Sequence, residues 1–354
     1  MNECAVKIRD VDIVFGEHSK NNRKRSKYSI KKYATDSEYD SVSAVIKANI
    51  EVKKGEILVL MGHSGAGKST LLRSINGLAP VVRGEVLVDT EDGFVNPYDT
   101  DANVLRKLRM HTVSMVFQQF ALLPWRTVAR NVELGLEFLD ITDEERKSRV
   151  AEHLEIVNLT EWANCKISML SGGMKQRVGF ARAFATGAPI LLMDEPFSSL
   201  DPLIRMRLQD ELLTLQKQLK KTIVFVSHDI NEAFRLGNRI AIMDSGRIIQ
   251  CGTPQEIILN PVNCYVSEFI QKLNPITALV AGDIMRVYSE CDETDIIHKI
   301  TRKMPLIDII DIVANNDLEK IGVVSDDKLI GVITAIDIVK GLSCCRKSSE
   351  FTEI

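Results

Sequence analysis

The chain has 354 residues, with 45 Lys plus Arg against 48 Asp plus Glu, a formal net charge of −3, and 45% hydrophobic and 26% charged residues. That composition leaves room for two or three globular domains with sizeable cores, and it excludes a binder that holds nucleic acid or an anionic membrane by bulk positive charge. The seven cysteines are scattered apart from Cys344 and Cys345 and read as reduced thiols of a cytosolic protein. No apolar stretch approaches the ~18–20 residues that span a bilayer, and the opening residues read as no signal peptide.

In chain order, AVKIRDVDIVFGEH alternates apolar and polar residues and predicts a strand. NNRKRSKYSIKKYATDSEYDS follows, strongly basic in its first half, and reads as a loop insertion over about 18–43: a solvated loop, or a patch that meets a lipid headgroup or partner at 20–32. Alternation resumes in AVIKANIEVKKGE, and Ile57–Met61 (ILVLM) is a short buried strand running into GHSGAGKST, after which LLRSINGL has helical spacing. EERKSRVAEHLEIVNL predicts an amphipathic helix, and PILLMDEP and TIVFVSHD predict two more buried strands. Short apolar strands alternating with helices point to an α/β fold with a mostly parallel sheet covered on both faces. After Asn274 the character changes. MPLIDIIDIVANNDLEKIGVVSDDKLIGVITAIDIVKGL reads helix, strand, hairpin turn, strand, helix, a separate small α+β domain, and CCRKSSEFTEI reads as a frayed tail.

The chemistry begins at Gly62-His63-Ser64-Gly65-Ala66-Gly67-Lys68-Ser69-Thr70, which fits the phosphate-loop pattern with a strand before it and a helix after. Glycines let backbone N–H groups turn inward toward phosphate oxygens, and the helix start adds its positive end. Lys68 reaches the β- and γ-phosphates, the Ser69 hydroxyl ligates Mg²⁺, and His63 reads as a bystander. A carboxylate is then needed at a neighbouring strand tip, and ILLMDEP supplies it: Asp194 to hold the magnesium shell through water, Glu195 to polarise the attacking water. His228 ends another buried strand at the same sheet edge, where a ring N–H meets a γ-phosphate. Gln118 follows the apolar run SMVF, where its amide can bond both Mg²⁺ and water; Gln119 is the alternative. LSGGMKQ (170–176) looks like a second anion cradle, with two glycines after Ser171 opening a helix.

These elements resemble the nucleotide-binding subunit of ATP-binding cassette (ABC) transporters over roughly 6–271, with the motifs in that family's order: GHSGAGKST, Gln118, LSGGMKQRV, ILLMDEP, SSLD (198–201) and His228. LSGGMKQ discriminates, because many other phosphate-loop proteins lack it. The resemblance implies ATP and Mg²⁺ as ligands and an ATPase domain over 1–273: a mostly parallel sheet with helices, an antiparallel edge subdomain, and a helical subdomain at about 119–175. It implies a head-to-tail homodimer in which Ser171, Gly172 and Gly173 close over the γ-phosphate held by the other subunit, with Asp201 of SSLD near the seam. The family stacks an aromatic residue of an early loop on adenine. Phe15 stands at that position, with core packing as its other reading and Tyr28 or Tyr33 as substitutes, because the insertion makes the spacing unusual.

Within the family, FQQFALLPWRTVARNVELGLE, the early FGEH and the C-terminal domain look like the ATPase subunit of glycine betaine/proline betaine/choline importers. The implied partners are an integral-membrane permease and, indirectly, an extracytoplasmic solute-binding protein, with no nucleic acid, and the implied place is peripheral, on the cytoplasmic side of the inner membrane. Residues 281–342 resemble one CBS module, in which Thr334 and Asp337 match the pair that bonds an adenosyl ribose; a purely structural domain is the other reading, and 343–354 is the tail. The alternatives are an importer ATPase for another solute and a non-transport ABC ATPase of DNA repair or translation. The chain carries neither the inserted coiled coils of the repair type nor the paired cassettes of the translation type.

Overall fold

The computed structural model describes residues 3–15, 42–118, 121–198, 200–271, 279–287, 298–316, 320–325 and 328–343. The basic insertion at 20–32, Tyr28, Tyr33, Gln119, Cys291, Cys344, Cys345 and the tail beyond 343 lie outside the described residues. The chain divides into two compact units: 1–228 with 243–248, and 229–242 with 249–354. The composition change near Asn274 does not mark this division, which falls where the chain leaves the last of the parallel strands of the first unit.

In the first unit, β1 (Cys4–Phe15), β2 (Val42–Lys53), β4 (Val81–Thr90) and β5 (Gly93–Val95) form an antiparallel sheet in the order β2-β1-β4-β5. Alternation over Val6–Ile8 and again over Val11–Ile13, reset by an irregularity at the exposed Arg9 and Asp10 (Asp10 φ 48°), puts Val6, Ile8, Val11 and Ile13 inside. A second layer holds β3 (Ile57–Met61), β8 (Thr222–Ser227), β7 (Ile190–Asp194) and β6 (Val113–Val116), all parallel and adjacent in that order. Every residue of β3, β7 and β8 is buried, which is why they read as unbroken apolar runs rather than alternating ones. In register, Met61 lies beside Ser227, Asp194 beside Val226 and Val116 beside Met193. The four strands therefore end on one edge.

Helix α1 (Lys68–Ser74) follows β3 directly. Helix α2 (Ala102–Lys107) runs into a π-helical turn at Leu108–Thr112 that feeds β6. A helical layer follows: α3 (Val128–Glu133), α4 (Asp143–Ile156) and α5 (Gly172–Ala185), capped by Thr127, Thr142 and Ser171, each accepting a backbone N–H of the first turn. Val128, Val132, Leu136, Val150, Leu154, Val178, Ala181 and Ala185 share one core, so the layer extends through all of α5. Buried Asn131 ties the segment before it down: its Oδ1 accepts from Leu123 N at 2.7 Å, and its Nδ2 donates to the Thr127 carbonyl at 2.9 Å. Helix α6 (Pro202–Leu219), capped by Asp201 with proline in its first turn, completes the unit.

Beyond His228 the chain continues through α7 (Ile230–Leu236), β9 (Arg239–Asp244), β10 (Arg247–Gly252), α8 (Pro254–Leu259) and α9 (Cys264–Gln271). The C-terminal elements of the second unit are α10 (Ala281–Ile284), β11 (Arg286–Val287), β12 (His298–Thr301), α11 (Leu306–Asn316), β13 (Lys320–Ser325), β14 (Lys328–Thr334) and α12 (Ala335–Ser343). Their sheet order is β11-β14-β13-β12, with β12 and β13 parallel across α11 and the β13–β14 hairpin antiparallel. Ile300, Leu306, Ile309, Ile321, Val323, Val332 and Ile338 fill the core beneath it. The expected helices and strands follow in the expected order, helix, strand, strand, helix, and the expected turn at 326–327 lies outside the described residues. No described helix is long and apolar enough to cross a membrane, and Cys4, Cys165, Cys251 and Cys264 form no disulfide.

Candidate nucleotide site

The carboxyl ends of parallel strands open into a crevice in α/β folds, and the motif residues of the first unit gather there. The loop after β3 is shaped by glycine. Gly62 has φ 150°, and a Cβ there would sit 2.1 Å from the Met243 carbonyl oxygen; Gly67 has φ 92°, and a Cβ there would sit 2.2 Å from the Ala44 carbonyl oxygen. No other residue allows both the backbone conformation and the approach. His63, Ser64 and Gly65 are exposed at the rim, Ala66 is buried beneath them, and Thr70 is half-buried on α1.

Lys68 is 5% exposed and its ammonium donates to the carbonyls of Gly62 and His63, both at 2.9 Å. Burial pulls its pKa below the ordinary lysine value, while the fields of Glu195 and Asp194 hold the proton on. Ser69 Oγ donates to Asp194 Oδ1 at 2.6 Å, and Arg73 Nη2 donates to Asp194 Oδ2 at 2.9 Å. Arg73 is a site residue that the motif reading missed. The signal was present: Ser69 and Arg73 stand one turn apart on α1 and so face the same neighbour, the tip of β7.

Glu195 follows β7 with φ 47°, the left-handed region that non-glycine residues seldom enter, and its N–H donates to the Val226 carbonyl at 3.1 Å. Phe197, fully buried, anchors the segment beyond it against Phe180 (centroids 5.7 Å, edge-on) and Phe225 (5.8 Å). One oxygen of Glu195, Oε2, lies 3.2 Å from Gln118 Nε2 and 3.2 Å from His228 Nδ1. Gln118 leaves β6, Glu195 leaves β7 and His228 leaves β8, so strand order alone brings these three together.

The other expected residues are placed as follows. Ser171 caps α5, its hydroxyl accepting from Met174 N at 3.3 Å, with Gly172 and Gly173 in the first turn close under Leu200 and Ile204. The Asp201 carboxylate accepts from Ile204 N at 3.0 Å and so serves as the cap of α6. Phe15 ends β1 opposite Val42 and is 45% exposed, which sets aside core packing as its role. In the second unit, Asp337 is buried, and its Oδ2 accepts from Thr334 N (2.9 Å), Thr334 Oγ1 (2.6 Å) and Arg286 Nε (3.0 Å), while Arg286 Nη2 reaches Thr334 Oγ1. Burial opposes ionisation of Asp337, but the hydrogen bonds from Thr334 and the Arg286 guanidinium prevail and hold its carboxyl below the usual carboxylate range. Thr334 and Asp337 are thus already engaged with each other and with Arg286.

Among the described residues no cluster of three or more His, Cys, Asp or Glu could hold a metal. A hydroxyl beside one carboxylate, both hard oxygen donors, fits Mg²⁺, which keeps several waters and takes substrate phosphates as ligands rather than a full protein cage.

Comparison with known proteins agrees with this arrangement. Residues 45–198 match the ABC transporter family. The chain is 43% identical over 287 residues to the glycine betaine transport ATP-binding protein OpuAA of Bacillus subtilis, covering 79% of this chain and 66% of that protein. It is also 43% identical over 281 residues to the glycine betaine/proline betaine transport system ATP-binding protein ProV of Escherichia coli, covering 79% and 69%. The chain thus spans about two thirds of the length of these curated relatives. Among solved structures, the ATP-binding cassette MJ0796, a dimer in a post-hydrolysis state bound to ADP and Pi, superposes with a TM-score of 0.58 at 34% identity, over 70% of this chain and 98% of that one. With the phosphate loop, the strand-tip carboxylates and the LSGGMKQ helix in place on an α/β fold, the chain belongs to the ABC transporter family, as one of its ATP-binding proteins.

Proposed function

We propose that the chain hydrolyses ATP as the motor subunit of an importer for a quaternary ammonium osmolyte: glycine betaine, proline betaine or choline. The observation that carries the ATPase reading is Glu195 Oε2, set 3.2 Å from both Gln118 and His228 beside Lys68, Ser69 and Asp194. Lys68 binds the β- and γ-phosphates, and the Gly62–Thr70 loop turns its N–H groups toward them. Ser69 and Asp194, with Gln118 at the rim, would hold Mg²⁺, which neutralises phosphate charge when bound. Glu195 orients and deprotonates the attacking water, with Gln118 and His228 fixing the carboxylate's position.

Ser171, Gly172 and Gly173 serve the ATP held by a second copy, so that ATP joins a homodimer with two shared sites, and Phe15 stacks on adenine. Two chains carrying different lesions test the sharing. In a mixture of Ser171→Arg and Lys68→Ala chains, a heterodimer has one site with both lesions and one with neither. ATPase activity should return on mixing two inactive preparations, to roughly a quarter of wild type if subunits pair at random and one intact site turns over independently. Formation of heterodimers without recovery at any ratio counts against the shared site.

The permease partner and a peripheral place on the cytoplasmic face fit the large apolar side chains exposed on the helical layer, Trp125 (73%) and Met169 (66%). The solute assignment is supported by likeness to the betaine transport proteins named above. Its test is uptake: the chain co-reconstituted with its permease and an extracytoplasmic solute-binding protein should accumulate labelled glycine betaine only with ATP, with choline and proline betaine competing. Intact ATPase activity without uptake of any of the three favours an importer of another solute. The same assay carries the proposal that the α+β module of the second unit is CBS-like and biases dimer closure. A chain truncated after Asn274 should then lose its response to salt or adenine nucleotide, and an identical response leaves the module a structural domain.

A further inference from the structure

Asp194 is 2% exposed, and both of its oxygens are taken: Oδ1 by the Ser69 hydroxyl and Oδ2 by the Arg73 guanidinium. The phosphate-loop cation, Lys68, turns its ammonium to the Gly62 and His63 carbonyls instead. The positive charge in direct contact with Asp194 is therefore that of Arg73, whose side chain is 49% exposed and whose salt bridge to Asp194 spans 2.9 Å. A buried carboxylate with no counter-charge is a strong attractor for any cation, because little solvent screens it.

We infer that Arg73 is the resident counter-charge of Asp194: it fixes the carboxylate with Oδ1 toward Ser69, and it weakens the carboxylate's pull on a divalent cation until nucleotide phosphates are present. The inference rests on the reading that Ser69 and Asp194 hold Mg²⁺. A guanidinium on Oδ2 repels a dication approaching Oδ1, and the several negative charges of a triphosphate outweigh that repulsion. The cation then enters with the nucleotide rather than ahead of it. Arg73 does not touch the substrate in this scheme and is a positioning residue.

The test uses Mn²⁺ as a paramagnetic probe, with binding to the full chain followed by electron paramagnetic resonance, with and without a non-hydrolysable ATP analogue. Without nucleotide, Arg73→Met and Arg73→Gln should bind Mn²⁺ at least about fivefold more tightly than wild type, because one adjacent positive charge has gone, while Arg73→Lys should stay near wild type. The glutamine variant keeps a donor for Oδ2 without the charge, so it separates charge from hydrogen bonding and stands in if the methionine variant folds poorly. With the analogue present, the gain should shrink, since the phosphates then dominate the field. Wild-type Mn²⁺ affinity in both neutral variants without nucleotide overturns the role of Arg73 alone. If the analogue fails to raise the Mn²⁺ affinity of wild type, the metal reading falls and the inference falls with it.

Discussion

Glu195→Gln should lower ATP turnover by about 100-fold or more while leaving ATP binding intact, because a positioned general base contributes ~10²–10⁴-fold. An amide has nearly the shape of the carboxylate, so the contacts from Gln118 and His228, both 3.2 Å from Oε2, can be kept by one orientation of the new side chain. What it loses is the capacity to take a proton from water. The left-handed backbone at Glu195, φ 47°, costs free energy that the flanking packing of Phe197 must offset, and that packing does not change with the substitution. Binding and closure should therefore proceed and stop before chemistry, accumulating an ATP-dependent dimer. Steady-state phosphate release and sedimentation with and without ATP measure both halves. Turnover like that of wild type would remove Glu195 from the chemistry, and a slow enzyme that never dimerises would remove the shared-site arrangement.

Lys68→Ala should fail one step earlier, weakening ATP binding itself by about 100-fold, the equivalent of ~3 kcal/mol for a lost charge-assisted contact to phosphate. The loop should survive the change, since its backbone is set by glycine at positions 62 and 67 and the carbonyls of Gly62 and His63 lose only one shared donor. Burial already lowers the pKa of Lys68, so its proton leaves at a lower pH than that of a solvent-exposed lysine. ATP affinity of the wild type should accordingly fall as pH rises toward the alkaline end, where Lys68 becomes neutral, and the alanine variant should show no such fall. Titration of a fluorescent ATP analogue across pH reads both effects. An alanine variant with wild-type affinity would assign the phosphates to another group.

Much of this protein is determined locally. The runs ILVLM, ILLMD and TIVFVS are strands because their β-branched and apolar residues fit a sheet buried on both faces, and no tertiary information is needed to see it. The phosphate loop is equally legible, since glycine spacing between a strand and a helix is a backbone requirement written in sequence, and so is the order of helix, two strands and helix in the C-terminal module. Three things were decided only by the tertiary structure. Which strand tips adjoin follows from the order β3-β8-β7-β6, a set of long-range pairings, and it is this order that places Gln118 and His228 on one oxygen of Glu195. The left-handed φ of Glu195 comes from the bond of its N–H to Val226 on the next strand, not from any propensity of glutamate. The partners of charged side chains were likewise open: Arg73 and Arg286 look like ordinary surface arginines in sequence, yet each meets a buried aspartate, Asp194 and Asp337, because an ionised carboxylate taken out of water must find its counter-charge wherever the packing brings one within reach.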